Sequence, residues 1–125
     1  IFKFVKKILS LIFVSLLLSG NAYAGINVDD YLKTRANKNK AVNDFIDADI
    51  MGIGTGILWS NVSIRANKGK PMYCSPPNMS LTNQNYINFL DREIKYEKNR
   101  GTLSGTEEIG MLIIRHMRRI FPCEN

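Results

Sequence analysis

The sequence contains few of the residues that metal centres require. Among its 125 residues there are two cysteines, Cys74 and Cys123, and a single histidine, His116. A structural zinc site uses four ligands, so these three residues fall short unless carboxylates or a second subunit complete the set. We therefore expect no metal and no cofactor.

The sequence also lacks β-strand patterning. Beyond residue 24 no stretch sustains the period-two alternation of a half-buried strand, and only Met72 and Tyr73 resemble one. Apolar residues recur instead at spacings of three and four, as in amphipathic helices. We predict an all-α fold: a small bundle of about four helices that contains one disulfide-stapled helical hairpin.

The apolar run near the N-terminus is too short for a membrane span. Residues 8–20 form an uncharged run of 13 residues, whereas ~20 are needed to cross a bilayer. Three lysines precede this run, and residues 22–24 read Ala-Tyr-Ala, an A-x-A cleavage pattern. These features favour a cleaved signal peptide over residues 1–24 rather than a retained membrane anchor. We expect one exported domain over residues 25–125, without stable membrane insertion.

Excess positive charge is modest once the predicted signal peptide is removed. The whole chain has 17 Lys and Arg against 11 Asp and Glu, a net charge of +6. Residues 25–125 retain 14 basic residues against the same 11 acidic ones, a net charge of +3. That balance is ordinary for a globular domain, and we expect no nucleic-acid partner.

The two cysteines are predicted to pair with each other. An exported chain meets an oxidising compartment, and two cysteines allow only one connectivity. A bridge from Cys74 to Cys123 closes a loop of about 50 residues, worth roughly 4 kcal/mol in the chain-entropy model. The alternative, a Cys74 nucleophile with His116 as its base, needs a free thiolate there and leaves Cys123 unexplained. We therefore predict no catalytic residue, and that the protein is not an enzyme.

Capping signals and apolar spacing define the helices. We predict them over residues 28–32, 41–66, 82–98 and 104–121. Asn27 and Thr82 are N-cap residues, and Ser104 with Glu107 matches a capping box. The basic connection at residues 35–40 is expected to be solvated.

The long helix carries two stripes. The stripe expected to be buried comprises Val42, Phe45, Ile46, Asp49, Ile50, Ile53, Ile57 and Leu58. The second, of small residues beside a tryptophan, comprises Ala48, Gly52, Gly56, Trp59 and Ser60. Small residues let another helix approach closely, so this stripe is either a dimer face or a packing face within the monomer. The Gly-x-Gly-x-Gly spacing is wrong for a dinucleotide-binding loop, and no strand precedes it.

Charged residues dominate the end of the predicted helix over residues 82–98. Apolar residues form a stripe along the predicted helix over residues 104–121. The charged set, expected on a solvated face, is Asp91, Arg92, Glu93, Lys95, Glu97 and Lys98. The core stripe expected in the last helix is Ile109, Leu112, Ile113, Met117 or His116, and Ile120. We expect His116 to be a packed or surface residue.

Four short motifs together resemble a known family. Residues 45–61 read Phe-x(6)-Gly-x-Gly-x-Gly-Ile-Leu-Trp-Ser-Asn, and residues 73–77 read Tyr-Cys-x-Pro-Pro. Leu81-Thr82 follows, and Phe121-Pro122-Cys123 comes near the end. This combination, over residues 41–123, resembles the Rap/Tai family of periplasmic immunity proteins. The resemblance implies a small all-α homodimer with one internal disulfide that plugs the catalytic cleft of a peptidoglycan amidase delivered by type VI secretion.

An inhibitor of that kind needs a rigid body that presents a loop. We expect the partner-binding loop to be the turn between the last two helices: Asn99, Arg100, Gly101, Thr102, Leu103 and Ser104. Within this turn Arg100 and Leu103 are the expected anchors, the alternative being a plain solvated turn.

Two other classes of exported protein stay open. An acid-stress chaperone of the HdeA type is also small, helical and singly bridged, although the cysteine placement here differs from that family. A structural accessory of a secretion system is the third class.

Overall fold

The chain is mainly helical in the residues that the structure describes. A computed structural model describes residues 1–18 and 25–124. It contains five helices in those ranges: α1 Phe2–Leu18, α2 Val28–Ala36, α3 Lys40–Ala66, α4 Asn83–Arg100 and α5 Ile109–Ile120. The described residues form no β-strand, and their one isolated bridge joins Asn27 to Glu108. The predicted all-α fold is therefore confirmed.

Helix α1 contains the three lysines and most of the apolar run of the predicted signal peptide. Several of its large apolar side chains are exposed, among them Phe2, Phe4 and Leu9. No helix in the described ranges combines the length and the apolarity that a membrane crossing requires. The predicted cleavage pattern lies in residues 19–24, outside the described residues, so the signal peptide stays a prediction.

Helix α2 begins as predicted and is longer than predicted. The side chain of Asn27 accepts a hydrogen bond from the backbone N–H of Asp30 at 2.8 Å, which caps the first turn. The helix continues to Ala36, so Arg35 is not part of a solvated connection. Its guanidinium donates to Asn43 Oδ1 at 3.0 Å and forms an ion pair with Asp47, which fastens α2 to α3.

Tyr31 fastens α2 to α4. Its hydroxyl donates to Asp91 Oδ1 at 2.6 Å. Burial, reinforced by this hydrogen bond, raises the pKa of Tyr31 to about 12. Asp91 is exposed, as predicted, and it also accepts a hydrogen bond from this core residue.

Only one side of α3 enters the core. Its buried residues are Ile46, Ile50, Gly54, Ile57 and Asn61. The predicted positions of Ile46, Ile50 and Ile57 are thus confirmed, whereas Phe45, Val42 and Leu58 are exposed. Successive residues of an α-helix are rotated by about 100° around its axis, which places Phe45 on the face opposite the core. Helices α4 and α5 cover only the core side of α3.

The glycine that permits close helix packing is Gly54. A Cβ atom placed there would lie 2.5 Å from ring carbons of Tyr86 on α4. Gly52 and Gly56, in contrast, have no such neighbour within 4 Å. The small-residue stripe is therefore not the face through which α3 meets α4.

The predicted disulfide is present. Cys74 and Cys123 are joined, with their Cα atoms 4.9 Å apart, and the Cys74 N–H donates to the carbonyl of Phe121 at 2.9 Å. Buried Asn61 holds the same loop: its amide donates to the carbonyl of Tyr73 at 3.0 Å, and its Oδ1 accepts from the N–H of Met72 at 2.8 Å. Helix α3 and the bridge thereby fix one short segment from two sides.

Helix α4 has the predicted N-cap and a sharp C-terminal end. Thr82 and Asn85 form a capping box. The helix ends at Arg100, two residues later than predicted, because Gly101 adopts the left-handed conformation with φ 69°. The Thr102 N–H then donates to the Glu97 carbonyl at 3.0 Å, which completes the cap.

The predicted start of the last helix is wrong. Helix α5 begins at Ile109 rather than Ser104, and its N-cap residue Glu108 makes no side-chain capping bond. The preceding backbone is used elsewhere: Gly105 O accepts from Asp29 N–H at 3.0 Å, and Glu107 O from Val28 N–H at 2.9 Å. Pairing with the start of α2 therefore replaces the helical turn that the capping box predicted.

The four helices after α1 share one core at the meeting point of α3, α4 and α5. Its most buried side chains are Val28, Tyr31, Ile50, Tyr73, Leu90, Ile109, Leu112, Ile113 and Met117. All the predicted core positions of α5 except Ile120 are confirmed, and both His116 and Met117 are buried.

Candidate functional site

The connection that contains the predicted partner-binding turn begins later and is longer than expected, since α4 ends at Arg100 and α5 begins at Ile109. Asn99 and Arg100 are the last residues of α4, and Gly101 is its cap. Arg100 is exposed; its Nη1 donates to the Tyr96 hydroxyl at 2.5 Å, and the guanidinium carbon lies 5.2 Å from the centre of that ring. Arg100 is thus placed to meet a partner, in a conformation that Tyr96 supports.

The other predicted anchor, Leu103, does not lie on the exposed surface of the turn. Leu103 is half-buried and packs against the hydrophobic core, so its side chain supports the turn from beneath. Thr102 and Ser104 are exposed, and the Ser104 hydroxyl lies 2.8 Å from that of Thr106. The surface that residues 99–104 offer is therefore polar, with Arg100 as its one charged side chain.

An ion-pair cluster holds this turn in place. Arg115 Nη1 donates to Glu107 Oε1 at 2.7 Å and to Glu97 Oε1 at 3.2 Å. Glu97 was expected on a solvated face but is buried. One guanidinium thus links α4, α5 and the segment between them.

A second charged cluster is buried between α4 and α5. Glu93 and His116 are 2% and 3% exposed, and Glu93 Oε2 lies 3.1 Å from His116 Nδ1. Arg119 pairs with the same oxygen, and Phe89 stacks on the imidazole with a centroid distance of 5.1 Å. The prediction of a solvated Glu93 is wrong because Glu93 lies three residues after Leu90 and four after Phe89, on the same face as these core residues.

Burial determines the protonation of His116. Burial lowers the pKa of the imidazole, and the hydrogen bond with Glu93 offsets only part of that effect. In the neutral ring, Nδ1–H donates to the Glu93 carboxylate. His116 Nε2 is then a buried atom without a hydrogen-bond partner.

All five residues of the predicted dimer or packing face are exposed. They are Ala48, Gly52, Gly56, Trp59 and Ser60. Phe45 and Trp59 flank the two glycines on the same side of α3 and are 61% and 65% exposed. Of the two uses considered for this stripe, packing within the monomer is therefore not observed, and it forms an open apolar surface instead.

The thiol-nucleophile alternative has no free thiol. Both sulfur atoms are in the bridge between Cys74 and Cys123. Across residues 1–18 and 25–124, no group of three or more His, Cys, Asp and Glu side chains is arranged to hold a metal ion.

A groove between α4 and α5 is not among the sites predicted from the sequence. Its cavity volume is about 400 Å³, and its lining includes Arg92, Lys95, Tyr96, Asn99, His116 and Arg119. The α4 residues recur at i, i+3, i+4 and i+7, which places them on one helix face. That spacing is a usable signal of a shared helix face, although a charged run such as residues 91–98 equally predicts a solvated face.

Comparison of the chain with family models, with curated proteins and with solved structures found no match. The resemblance to the Rap/Tai immunity proteins therefore depends on the four sequence motifs alone.

Proposed function

We propose that this protein is a periplasmic immunity protein that binds and occludes a peptidoglycan amidase delivered by type VI secretion. The observation that supports this most is the disulfide-stapled pair of α4 and α5, which ends in an exposed Arg100. The disulfide also fits an oxidising compartment such as the periplasm. The family resemblance of residues 41–123 supplies the class of partner.

The mechanism we propose is stoichiometric occlusion, without turnover. A binder loses little conformational entropy on association when its contact surface is already ordered. Here the Arg115 cluster, the Gly101 cap and the Leu103 contact hold the turn before any partner arrives. Arg100 would be the charged anchor in the amidase cleft, and Leu103 its support.

The second partner we propose is another copy of this chain. Phe45, Gly52, Gly56 and Trp59 form an open apolar surface on α3, of the kind that protein interfaces cover. A two-fold dimer would bring the same glycines together, where backbones can approach closely. In solution we expect the mass of a dimer, which Trp59→Glu should reduce to that of a monomer. Leu32→Glu, at an exposed position on α2, is the control and should leave the dimer intact.

The immunity function is tested by searching the genes beside the one for this chain for a secreted cell-wall hydrolase and using that enzyme as the toxin. Producing that hydrolase in the periplasm of a test bacterium should lyse the cells, and co-production of this protein should protect them. Arg100→Glu with Ser104→Glu should remove protection because both changes alter the exposed turn. Lys70→Glu with Ser80→Glu makes the same change of charge at exposed positions beyond the other end of α4 and should protect fully. Lysis despite the unchanged protein would contradict the proposal.

One observation favours an acid-stress chaperone as a second candidate. The buried imidazole of His116, whose pKa burial lowers, opposes protonation, and α3 already exposes apolar surface. Acid would then loosen the α4–α5 pair and enlarge a surface for unfolded clients. Circular dichroism with light scattering of a client at pH 2–3 tests this: a folded protein that leaves client aggregation unchanged excludes the chaperone.

A further inference from the structure

The groove between α4 and α5 has an excess of positive charge. Arg92, Lys95 and Arg119 all line it. Arg119 is paired with buried Glu93, but Arg92 and Lys95 have no hydrogen-bond or ion-pair partner among the described residues. Two unpaired cations therefore line the groove, and the buried carboxylate of Glu93 is already engaged by Arg119 and His116.

The groove is ordered without a ligand. The Arg119 guanidinium carbon lies 3.8 Å from the centre of the Tyr96 ring while its Nη2 pairs with Glu93, so two contacts fix its orientation. Arg100 in turn donates to the Tyr96 hydroxyl at 2.5 Å. A guanidinium held in this way loses little freedom when it binds an anion.

The groove also contains unused hydrogen-bonding capacity. The Asn99 amide lines it and has no partner among the described residues. His116 lines it too, but in the neutral ring its Nε2 carries no proton, so it offers no donor to an anion. Asn99 is therefore the neutral donor that the groove adds to its cations.

We propose that this groove is a binding site for a carboxylate, carried by a small organic acid or by the free C-terminus of a peptide. Guanidinium and ammonium groups recognise carboxylates through charge-assisted hydrogen bonds. Ile120 and the Tyr96 ring add apolar wall for the carbon skeleton that bears the carboxylate. The start of neither α4 nor α5 lines the groove, so it lacks the helix N-terminus that phosphate sites commonly use. The site goes beyond the proposed immunity function and does not depend on it.

The test titrates the disulfide-bonded protein with three probes in low-salt buffer. The probes are citrate, trialanine with a free C-terminus, and trialanine amide. Calorimetry gives the affinity, and nuclear magnetic resonance shifts locate the site. We expect saturable binding of citrate or of free-acid trialanine, with shifts at Arg92, Lys95 and Asn99, and none of the amide. Citrate binding alone identifies a small-acid site, and free-acid trialanine binding identifies a peptide carboxylate as a ligand.

Matched variants separate this site from general attraction to a basic protein. Arg92→Gln with Lys95→Gln removes two charges from the groove and should weaken binding at least about tenfold. Lys98→Gln with Arg118→Gln removes two exposed charges that do not line it and should change binding less than about twofold. Equal loss in both variants, or no saturable binding of any probe, would overturn the proposal. If a melting curve shows that the double variant is unfolded, Lys95→Gln alone, at an exposed position, replaces it.

Discussion

The α4–α5 pair and the outer face of α3 each place residues in the environment opposite to the one that their polarity favours. Between α4 and α5, the charged Glu93 and ionisable His116 are buried and bonded to each other. On α3, the aromatic Phe45 and Trp59 are exposed. Coverage by a neighbouring helix, rather than side-chain polarity, separates the two cases: charges are buried where they find partners, and apolar groups stay exposed where no helix lies over them.

The largest effect should come from breaking the covalent link of the α4–α5 pair. Because Cys74 and Cys123 are the only cysteines, a reductant acts on this bridge alone. We expect reduction, or the double change to serine, to lower the free energy of unfolding by roughly 4 kcal/mol, since the unfolded chain gains freedom. Urea unfolding with and without reductant measures the difference. A loss below about 1 kcal/mol would mean that packing alone holds the pair.

The next effect concerns the buried charges. Glu93→Gln removes the charge that His116 and Arg119 share, and we expect a loss of about 2 kcal/mol because the charge-assisted hydrogen bonds to the buried carboxylate are lost. The control is Asp44→Asn, which breaks the exposed ion pair with Lys40 and should change stability little. Equal effects in urea unfolding would show that burial does not strengthen the α4–α5 pairing.

Substitution of one glycine on the inner face of α3 and one on its outer face compares the two faces directly. Gly54→Ala should cost about 1–3 kcal/mol because its methyl group would overlap the buried Tyr86 ring. Gly52→Ala, with open space around it, should instead stabilise the helix by about 0.5–1 kcal/mol. Thermal unfolding of both variants measures the two signs. Stabilisation by Gly54→Ala would contradict the contact between α3 and α4.

The smallest effect is a pH dependence that His116 causes. Its folded pKa lies below the ordinary 6.5, so the unfolded chain binds the proton first as the pH falls. The contribution of the neutral imidazole to the free energy of unfolding is therefore fully present above the pKa of His116 in the unfolded chain. It decreases as the pH falls below about 6.5, until the ring in the folded chain is also protonated. His116→Gln should flatten stability between pH 7 and pH 5. If stability depends on pH in His116→Gln as steeply as in the unchanged protein, groups other than His116 cause the dependence.

Local signals in the sequence were predictive, and long-range ones were not. Asn27 and Thr82 cap their helices as predicted because capping needs only three neighbouring residues. The capping box at Ser104 failed because residues 105 and 107 pair with the start of α2, some 80 positions earlier. The exposure of Phe45 and the burial of Glu93 depend likewise on which helix lies opposite, and periodicity alone does not determine that.

Among the candidate sites, too, features set by local sequence were predictable and features set by contacts between distant elements were not. The disulfide was predictable because two cysteines allow one connectivity. The role of Asn61 in holding Met72 and Tyr73, and the groove beside Arg92 and Lys95, both depend on contacts between separate elements. A search for polar residues at helical spacing on α4 would have found half of the groove.

The most direct test of the proposed function is a titration of peptidoglycan hydrolysis. A peptidoglycan amidase delivered by type VI secretion, sought first among the products of the neighbouring genes, is assayed with increasing amounts of the disulfide-bonded protein. We predict that activity falls linearly to zero at one chain per enzyme, that Arg100→Glu with Ser104→Glu abolishes inhibition, and that Lys70→Glu with Ser80→Glu preserves it. Undiminished hydrolysis at a large excess of the unchanged protein, or equal inhibition by both variants, would contradict occlusion by the end of the α4–α5 pair.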